Sequence, residues 1–600
     1  MAENKSDRLS FLGGRGNDAD TQDKRFWQRR ITGSLVVKRH SKFFRAFDAF
    51  CDKLSRVISY TSTRGYGLFY LGFGLLSLLL HFVKDYFGFY SEVPLRVLIL
   101  GAVFAILGLP FLTADKPLFT ALQSFKLTDF IVFEFFCVKR MQEGEGEKGI
   151  PPYAMLLMGL SFAVFGAVIP MEIVVIGIVA FAYLFLTFMS PEFSLLVIFL
   201  ALPFLSGFGV DNSLYFSLMV LFTVLSFIRK VAMGKRVYFF EQYDLWLVFL
   251  TAIFLMTTVI FNVGAPFEDA LYLMVLTLGY GLTGSLITNR RLADCVVNSV
   301  VISSVPVSII AICYWGIKLG TGGGFQAARV PFSSPSSLAV FLVVSILFAV
   351  YFIKVSQRKA AKLFYIFVFL CDLFALCITK FLPAVAVLVV ALIAYPVSKL
   401  RVGSGAFMAF IAVLPYAVAF IPLSFVERIS GLPVISMLGL YDLAIGYRTG
   451  LSLFLDSVFG GTGVGADCFA PEYALHGGIG DNCGSFILQL GCEAGVFAVI
   501  VLVILFVIRL IHRGIYRKYV KDSQVSELSR FITVCTVCLI FLGAFCYLWE
   551  DTALYYLFWC VFAVGSAVFR VSRREFDDRV EYYTDGSSAD SSSVDLMLGR

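Results

Sequence analysis

Charge is scarce in this chain: Asp, Glu, Lys and Arg make up only 15% of 600 residues, against 59% hydrophobic residues. So little charge cannot cover a water-soluble surface, which excludes an ordinary soluble globular domain and leaves a polytopic membrane protein. Histidine is scarcer still, with four in all. The 13 cysteines lie mostly inside apolar runs, with no CxxC and no Cys/His pair at metal-ligand spacing, so no metal or cofactor is expected. The polar N-terminus contains no apolar h-region, which argues against a cleavable signal peptide; the first span is expected to act as an uncleaved anchor. The net charge of +7 comes from basic residues set between apolar spans. Orientation in a membrane accounts for them more simply than nucleic acid does.

What is abundant is oily sequence, including 64 phenylalanines suited to lipid-facing and interfacial helix surface. A span needs about 20 apolar residues. On that yardstick helices are expected at 66–83, 93–113, 153–170, 172–189, 192–208, 213–228, 243–262 and 269–288. Further ones fall at 295–317, 336–353, 363–379, 381–398, 405–425, 485–508, 531–549 and 552–569. The fold class is therefore all-α, with roughly sixteen transmembrane helices. Residues 1–64 read as a basic cytoplasmic tail near anionic lipid, and 114–140 as an interfacial amphipathic helix within the 65–570 membrane domain. Residues 571–600, ending in a Ser/Asp run, read as a disordered cytoplasmic tail.

Orientation follows from counting cations. With the N-terminus inside, 42 of the 49 Lys and Arg fall on the cytoplasmic side and 7 outside (Lys84, Arg96, Lys318, Arg329, Lys380, Arg428 and Arg448). The positive-inside rule then puts both termini in the cytoplasm and the large 427–484 loop outside, before the last three spans.

That loop is the longest polar interruption in the second half of the chain, and chemistry is expected there. Arg448 begins a helical pattern, with Leu451, Phe454, Leu455 and Val458 at three- and four-residue spacing. An arginine beside an apolar stripe must reach lipid headgroups or find an anion, and a planar five-donor fork suits a phosphate or pyrophosphate. Both readings stand. Arg329, in the other sizeable outer loop, is a second cation able to join it. Residues 460–465 (GGTGVG) mimic a dinucleotide motif but follow a helix rather than a strand, so they read as a tight turn. His81 and His476 are the outer histidines. His81 reads as an interfacial filler, and His476 as either a general base or an ordinary solvated loop residue. Asp467, Asp481 and Asn482 are polar neighbours, and Asp481 can orient or replace a base. Cys468 and Cys483 share the loop, and whether they pair is left open. Glu493 and Asp372 are isolated carboxylates inside spans. Each costs several kcal/mol and is expected to face the bundle interior, Glu493 beneath Gln489 as a floor to the site.

Taken in order, these features resemble the O-antigen ligase and polymerase superfamily of bacterial membrane oligosaccharide transferases. The resemblance rests on Ala328-Arg329-Val330 before a Ser-Pro-Ser and a span, Arg448 with its amphipathic helix, and Gly461-Thr462-Gly463-Val464-Gly465. Phe469, Tyr473-Ala474-Leu475, Leu488-Gln489-Leu490, Glu493 and Gly495 complete it, across residues 245–510. It implies metal-independent glycosyl transfer at the outer face of a bacterial cytoplasmic membrane. A lipid-linked oligosaccharide (a glycan on polyprenyl pyrophosphate) would be the donor, and a lipid, glycan or protein hydroxyl the acceptor. Arg329 and Arg448 match the positions of the family's pyrophosphate-holding arginines.

Three departures accompany it. The family's His-Asn before the helix after the loop is Asn482-Cys483-Gly484-Ser485 here, its Asn-Pro-Asn is Ser334-Pro335-Ser336, and its Ser-Arg-Gly is Thr379-Lys380-Phe381. Because His476 lies upstream of the expected base, the role is not carried onto it. The readings that follow are a transferase with Arg329 and Arg448 as clamps and His476 or Asp481 as base, or a non-catalytic relative that binds lipid-linked glycan or a partner enzyme. A transporter is the third, and the lone Asp372 and the lack of paired broken-helix signals count against it.

Overall fold

The computed structural model describes residues 41–86, 95–113, 115–136, 149–168, 171–205, 212–232, 238, 242–262, 268–321, 327–397, 404–422, 425–426, 440–478, 480–519 and 523–585. Among these residues the chain is all-helical. Nine helices among the described residues are long and apolar enough to cross a membrane, and six further apolar helices are shorter. Each of the segments expected to span falls on a helix. The helices are α1 (Ser41–Tyr60), α2 (Thr63–Tyr86), α3 (Leu95–Leu112), α4 (Pro152–Val168), α5 (Met171–Met189), α6 (Pro191–Leu205) and α7 (Asn212–Ala232). They continue as α8 (Gln242–Leu255), α9 (Glu268–Leu286), α10 (Arg290–Gly320), α11 (Pro335–Val355), α12 (Lys359–Ile378) and α13 (Leu382–Val397). The rest are α14 (Ser404–Val413), α15 (Leu440–Asp456), α16 (Ala466–Leu475), α17 (Phe486–Tyr519), α18 (Ser523–Leu542) and α19 (Thr552–Asp585).

The chain divides into two compact units, Met1–Ser194 with Phe222–Tyr238, and Leu195–Leu221 with Phe239–Arg600. In the first, α2 packs closely on α3 and α4. A Cβ at Gly74 would lie 2.5 Å from the Ala105 amide nitrogen, so only glycine lets these backbones approach so nearly. The segment expected as one amphipathic helix at 114–140 is instead broken. It forms a seven-residue helix (Leu118–Ser124), a single turn at Lys126–Thr128 and a π-helical stretch at Asp129–Phe135. Phe125 interrupts it with an extended backbone, φ −95° and ψ 117°.

The second unit holds every residue singled out above for chemistry. Asp372 of α12 is fully buried but not isolated. Its carboxylate accepts hydroxyl hydrogen bonds from Ser304 (2.8 Å) and Ser308 (2.6 Å) of α10 and from Ser345 (2.8 Å) of α11. Three donors replace the water that the carboxylate gave up, and they bind three helices together.

Several boundaries differ from the hydropathy reading; the helix expected at 405–425, for one, gives way to a 3-10 stretch at Leu414–Phe420. The span expected at 531–549 ends at Leu542. Beyond it the chain tightens into turns, with the Ala544 amide donating to Phe541 and that of Phe545 to Leu542. Residues 543–549 look like span because they are apolar, but their oil serves the core. Trp549 packs edge-on against Phe486 and Tyr555, each at 4.7 Å between ring centroids, and near Trp559 at 5.9 Å. At the other end of the chain, α19 runs on to Asp585, so the first half of the tail expected to be disordered is helical. Residues 586–600 and the basic tail at 1–40 lie outside the described residues.

Trp549 fixes the turn that carries the site described next. Trp549→Ala is expected to cost about 3–5 kcal/mol, the range for large aromatic truncations in a packed core. Unfolding of the purified protein in mixed micelles measures it, and a loss well under about 1 kcal/mol would refute the anchoring role.

Candidate functional site

The site is assembled on the turn Gly543–Asp551, between α18 and α19. Three separate parts of the sequence are tied to it. The Phe486 amide, opening α17, donates to the Gly543 carbonyl at 2.6 Å. The Tyr447 hydroxyl of α15 donates to the Ala544 carbonyl at 2.9 Å. The Tyr547 hydroxyl donates to Glu493 Oε2 at 3.1 Å. From the loop before α11, Ser334 Oγ donates to Glu550 Oε2 at 2.8 Å and Ser333 Oγ to Asp551 Oδ2 at 2.8 Å. Ser337 Oγ also reaches Glu550 Oε2, at 3.2 Å.

The two arginines singled out by sequence thus sit on segments that share one platform. Arg448 follows Tyr447 directly, and Arg329 precedes the serine segment. Both side chains are exposed, and neither makes a hydrogen bond or ion pair with a described residue. The face of α15 that carries Arg448 is apolar and uncovered: Leu451 is 44% and Leu455 63% exposed. The opposite face packs inward through Leu443, Gly446, Gly450 and Leu453. Arg428 lies outside the described residues.

Beneath the platform, α17 is broken at Gly495 (φ 76°, ψ 178°). In an unbroken helix the Val496 amide would donate to Cys492. Here it donates to Val458 at 2.8 Å, and the freed Cys492 carbonyl accepts from the Thr462 amide at 2.8 Å. The Gly463 amide takes the Glu493 carbonyl at 3.1 Å. The glycine run at 460–465 is therefore a turn, as expected, and it also restores the hydrogen bonds that the broken helix gives up. Asn262, closing the π-helical end of α8, donates to the Gly461 carbonyl at 3.3 Å.

Gln489 and Glu493 form the floor. Both are buried. Gln489 Nε2 donates to Glu493 Oε1 at 2.8 Å, and Gln489 Oε1 accepts from the Cys483 amide at 3.2 Å. They bind the loop to α17 from below and are enclosed by protein, so their reach to a ligand is indirect. Cys468 and Cys483 are both buried, and no disulfide joins them.

His476 caps α16 and bridges to α15. Nε2 lies 2.9 Å from Asp456 Oδ2, and Nδ1 lies 2.9 Å from the Glu472 carbonyl. Two acceptors around one ring favour the doubly protonated imidazolium. The Glu472 carbonyl first, and then the Asp456 carboxylate, raise its pKa above the ordinary histidine value. To serve as a base, the ring would have to leave one of these partners. As its folded pKa is raised, the contact stabilises fully below the unfolded value of about 6.5 and is lost as pH rises through the folded one. Amide exchange in 466–478 is expected to quicken between about pH 6 and about pH 8, after correction for intrinsic rate, and His476→Gln to abolish that difference. Equal protection at both pH values in the wild type would contradict it.

The carboxylates of the turn were missed by sequence reasoning, because hydropathy assigned the preceding residues to a span. Asp551 is buried, and burial raises its pKa. Glu550 is exposed at the surface yet crowded by protein. Partial desolvation is the main cause raising its pKa above the ordinary glutamate value, and the charges of Asp551 and Asp481 push the same way. The Ser334 and Ser337 hydroxyls push back. Asp481, itself exposed, therefore stands close enough to Glu550 for its charge to be felt. Among the described residues no group of three or more His, Cys, Asp or Glu is arranged to hold a metal ion. No model of a known protein family matches the chain, and no curated protein matches it.

Proposed function

We propose that this protein transfers a glycan from a polyprenyl-pyrophosphate donor to an acceptor hydroxyl, at the outer face of a bacterial cytoplasmic membrane. One observation carries the reading: the two exposed arginines without partners among the described residues lie on segments joined to the same turn. An apolar face beside Arg448 suits a donor whose lipid lies in the bilayer while its pyrophosphate meets water. The resemblance to the O-antigen ligase and polymerase superfamily supports the same assignment, with both termini cytoplasmic.

In this mechanism Arg329 and Arg448 bind the pyrophosphate. The acceptor oxygen, losing its proton to a base, attacks the anomeric carbon. The bond from that carbon to the pyrophosphate oxygen breaks, and the leaving group departs with the electron pair as polyprenyl pyrophosphate. Guanidinium groups already in place stabilise the charge that develops on it. The acceptor is a lipid, a glycan or a protein.

The test is transfer in proteoliposomes from a polyprenyl-pyrophosphate oligosaccharide, with extended or ligated glycan as the expected product. Binding without product would favour a second reading, a non-catalytic relative that holds lipid-linked glycan. The engaged ring of His476 and the absent His-Asn pair speak for that alternative. Neither binding nor product would overturn both.

A further inference from the structure

We infer that Glu550 is the general base of this site, an inference that rests on the glycan-transfer reading. The geometry divides the work of its carboxylate. Oε2 is held by two hydroxyl donors, Ser334 Oγ and Ser337 Oγ. Oε1 has no hydrogen-bond partner among the described residues, and the side chain is exposed. One oxygen is anchored and the other is open to accept a proton.

The anchor is itself well fixed. Ser334 is the N-cap of α11 and accepts from the Ser337 amide at 3.1 Å, so the hydroxyl facing Glu550 is set by the start of a buried helix. These serines stand where the resembling family has Asn-Pro-Asn. In this chain the position serves to hold a carboxylate supplied 216 residues later.

The other candidates are less well placed. His476 has both ring nitrogens engaged. Asp551 is buried and takes the Ser333 hydroxyl. Asp481 is exposed, but nothing among the described residues holds it in one position. It acts instead through Glu550, as one of two negative charges that keep the Glu550 carboxylate basic. A base works best with a pKa near the working pH, and both charges move Glu550 that way.

In the step, the acceptor O–H gives its proton to Glu550 Oε1 as its oxygen bonds the anomeric carbon and the carbon–pyrophosphate bond breaks. Glu550 ends as the neutral acid and returns its proton to water after product release.

The experiment compares wild type with Glu550→Gln, Glu550→Asp and Asp481→Asn in the proteoliposome transfer assay, alongside binding of the polyprenyl-pyrophosphate oligosaccharide. Glu550→Gln is expected to lose about 10²–10⁴-fold in kcat, with binding unchanged and the acidic limb of the pH–rate profile removed. Glu550→Asp is expected to recover part of the rate and to keep the limb. Asp481→Asn is expected to move the limb to lower pH, because a charge that raises the Glu550 pKa is gone. Glu550→Gln turning over near the wild-type rate would overturn the inference and leave the transfer reading intact. So would loss of donor binding along with rate, which would make Glu550 part of the donor site. No product from the wild type would overturn both.

Discussion

Replacing Arg448 by alanine is expected to lower kcat for glycan transfer by about 10²–10³-fold, the usual consequence of removing one donor from a developing anion. Donor binding should weaken as well, because a charge-assisted contact to pyrophosphate acts in the ground state too. Arg329→Ala should behave alike, and the double variant should lose less than the product of the two single losses if both hold one pyrophosphate. Arg448→Lys should recover only part, since an ammonium cannot offer the planar fork. Kinetics and glycolipid binding on the four variants measure this. If Arg448→Ala keeps full rate and affinity, Arg448 is a headgroup anchor and the clamp is refuted. Folding is not the concern here, because the side chain is exposed and no described residue depends on it.

The second large effect is structural. Gly461→Ala and Gly495→Ala should each cost about 3 kcal/mol or more and remove activity through the fold. Both positions have positive φ, +62° and +76°, which costs any other residue about 1–2 kcal/mol. Space adds to that. A Cβ at Gly461 would lie 2.3 Å from the Glu493 carbonyl oxygen, and one at Gly495 would lie 2.7 Å from that of Phe459. Since the turn and the break exchange hydrogen bonds, the double variant should cost less than the sum of the singles. Unfolding midpoints settle this. Independent, additive losses would mean that the turn and the break are not one device.

A polar floor was legible in the Gln489 and Glu493 spacing, four residues apart on one helix. So was the turn at 460–465, from glycine density alone. The break in α17 left only a faint mark, one glycine in an apolar run, and such glycines usually pass inside an unbroken helix. It becomes a break because the 458–463 segment arrives to receive the freed amide and supply the carbonyl's new donor. Asp372 shows the same limit. Its burial was expected, yet its three serine partners come from α10 and α11, and no local pattern marks serines that share a carboxylate.

By itself the sequence determined the membrane class, the helical stretches, the glycine turn and the amphipathic face that carries Arg448. These depend on hydropathy and on spacing along one chain, which sequence states directly. Tertiary structure decided where α18 stops and what the following residues do. Hydropathy reads 543–549 as membrane span because it cannot tell oil that meets lipid from oil that meets a core. Trp549 packs among Phe486, Tyr555 and Trp559, so an apolar run becomes a rigid turn. That turn brings Glu550 and Asp551 to Ser333, Ser334 and Ser337, more than two hundred residues away. Contacts at that range are set by how the helices pack around the turn, and packing is what a one-dimensional pattern leaves open.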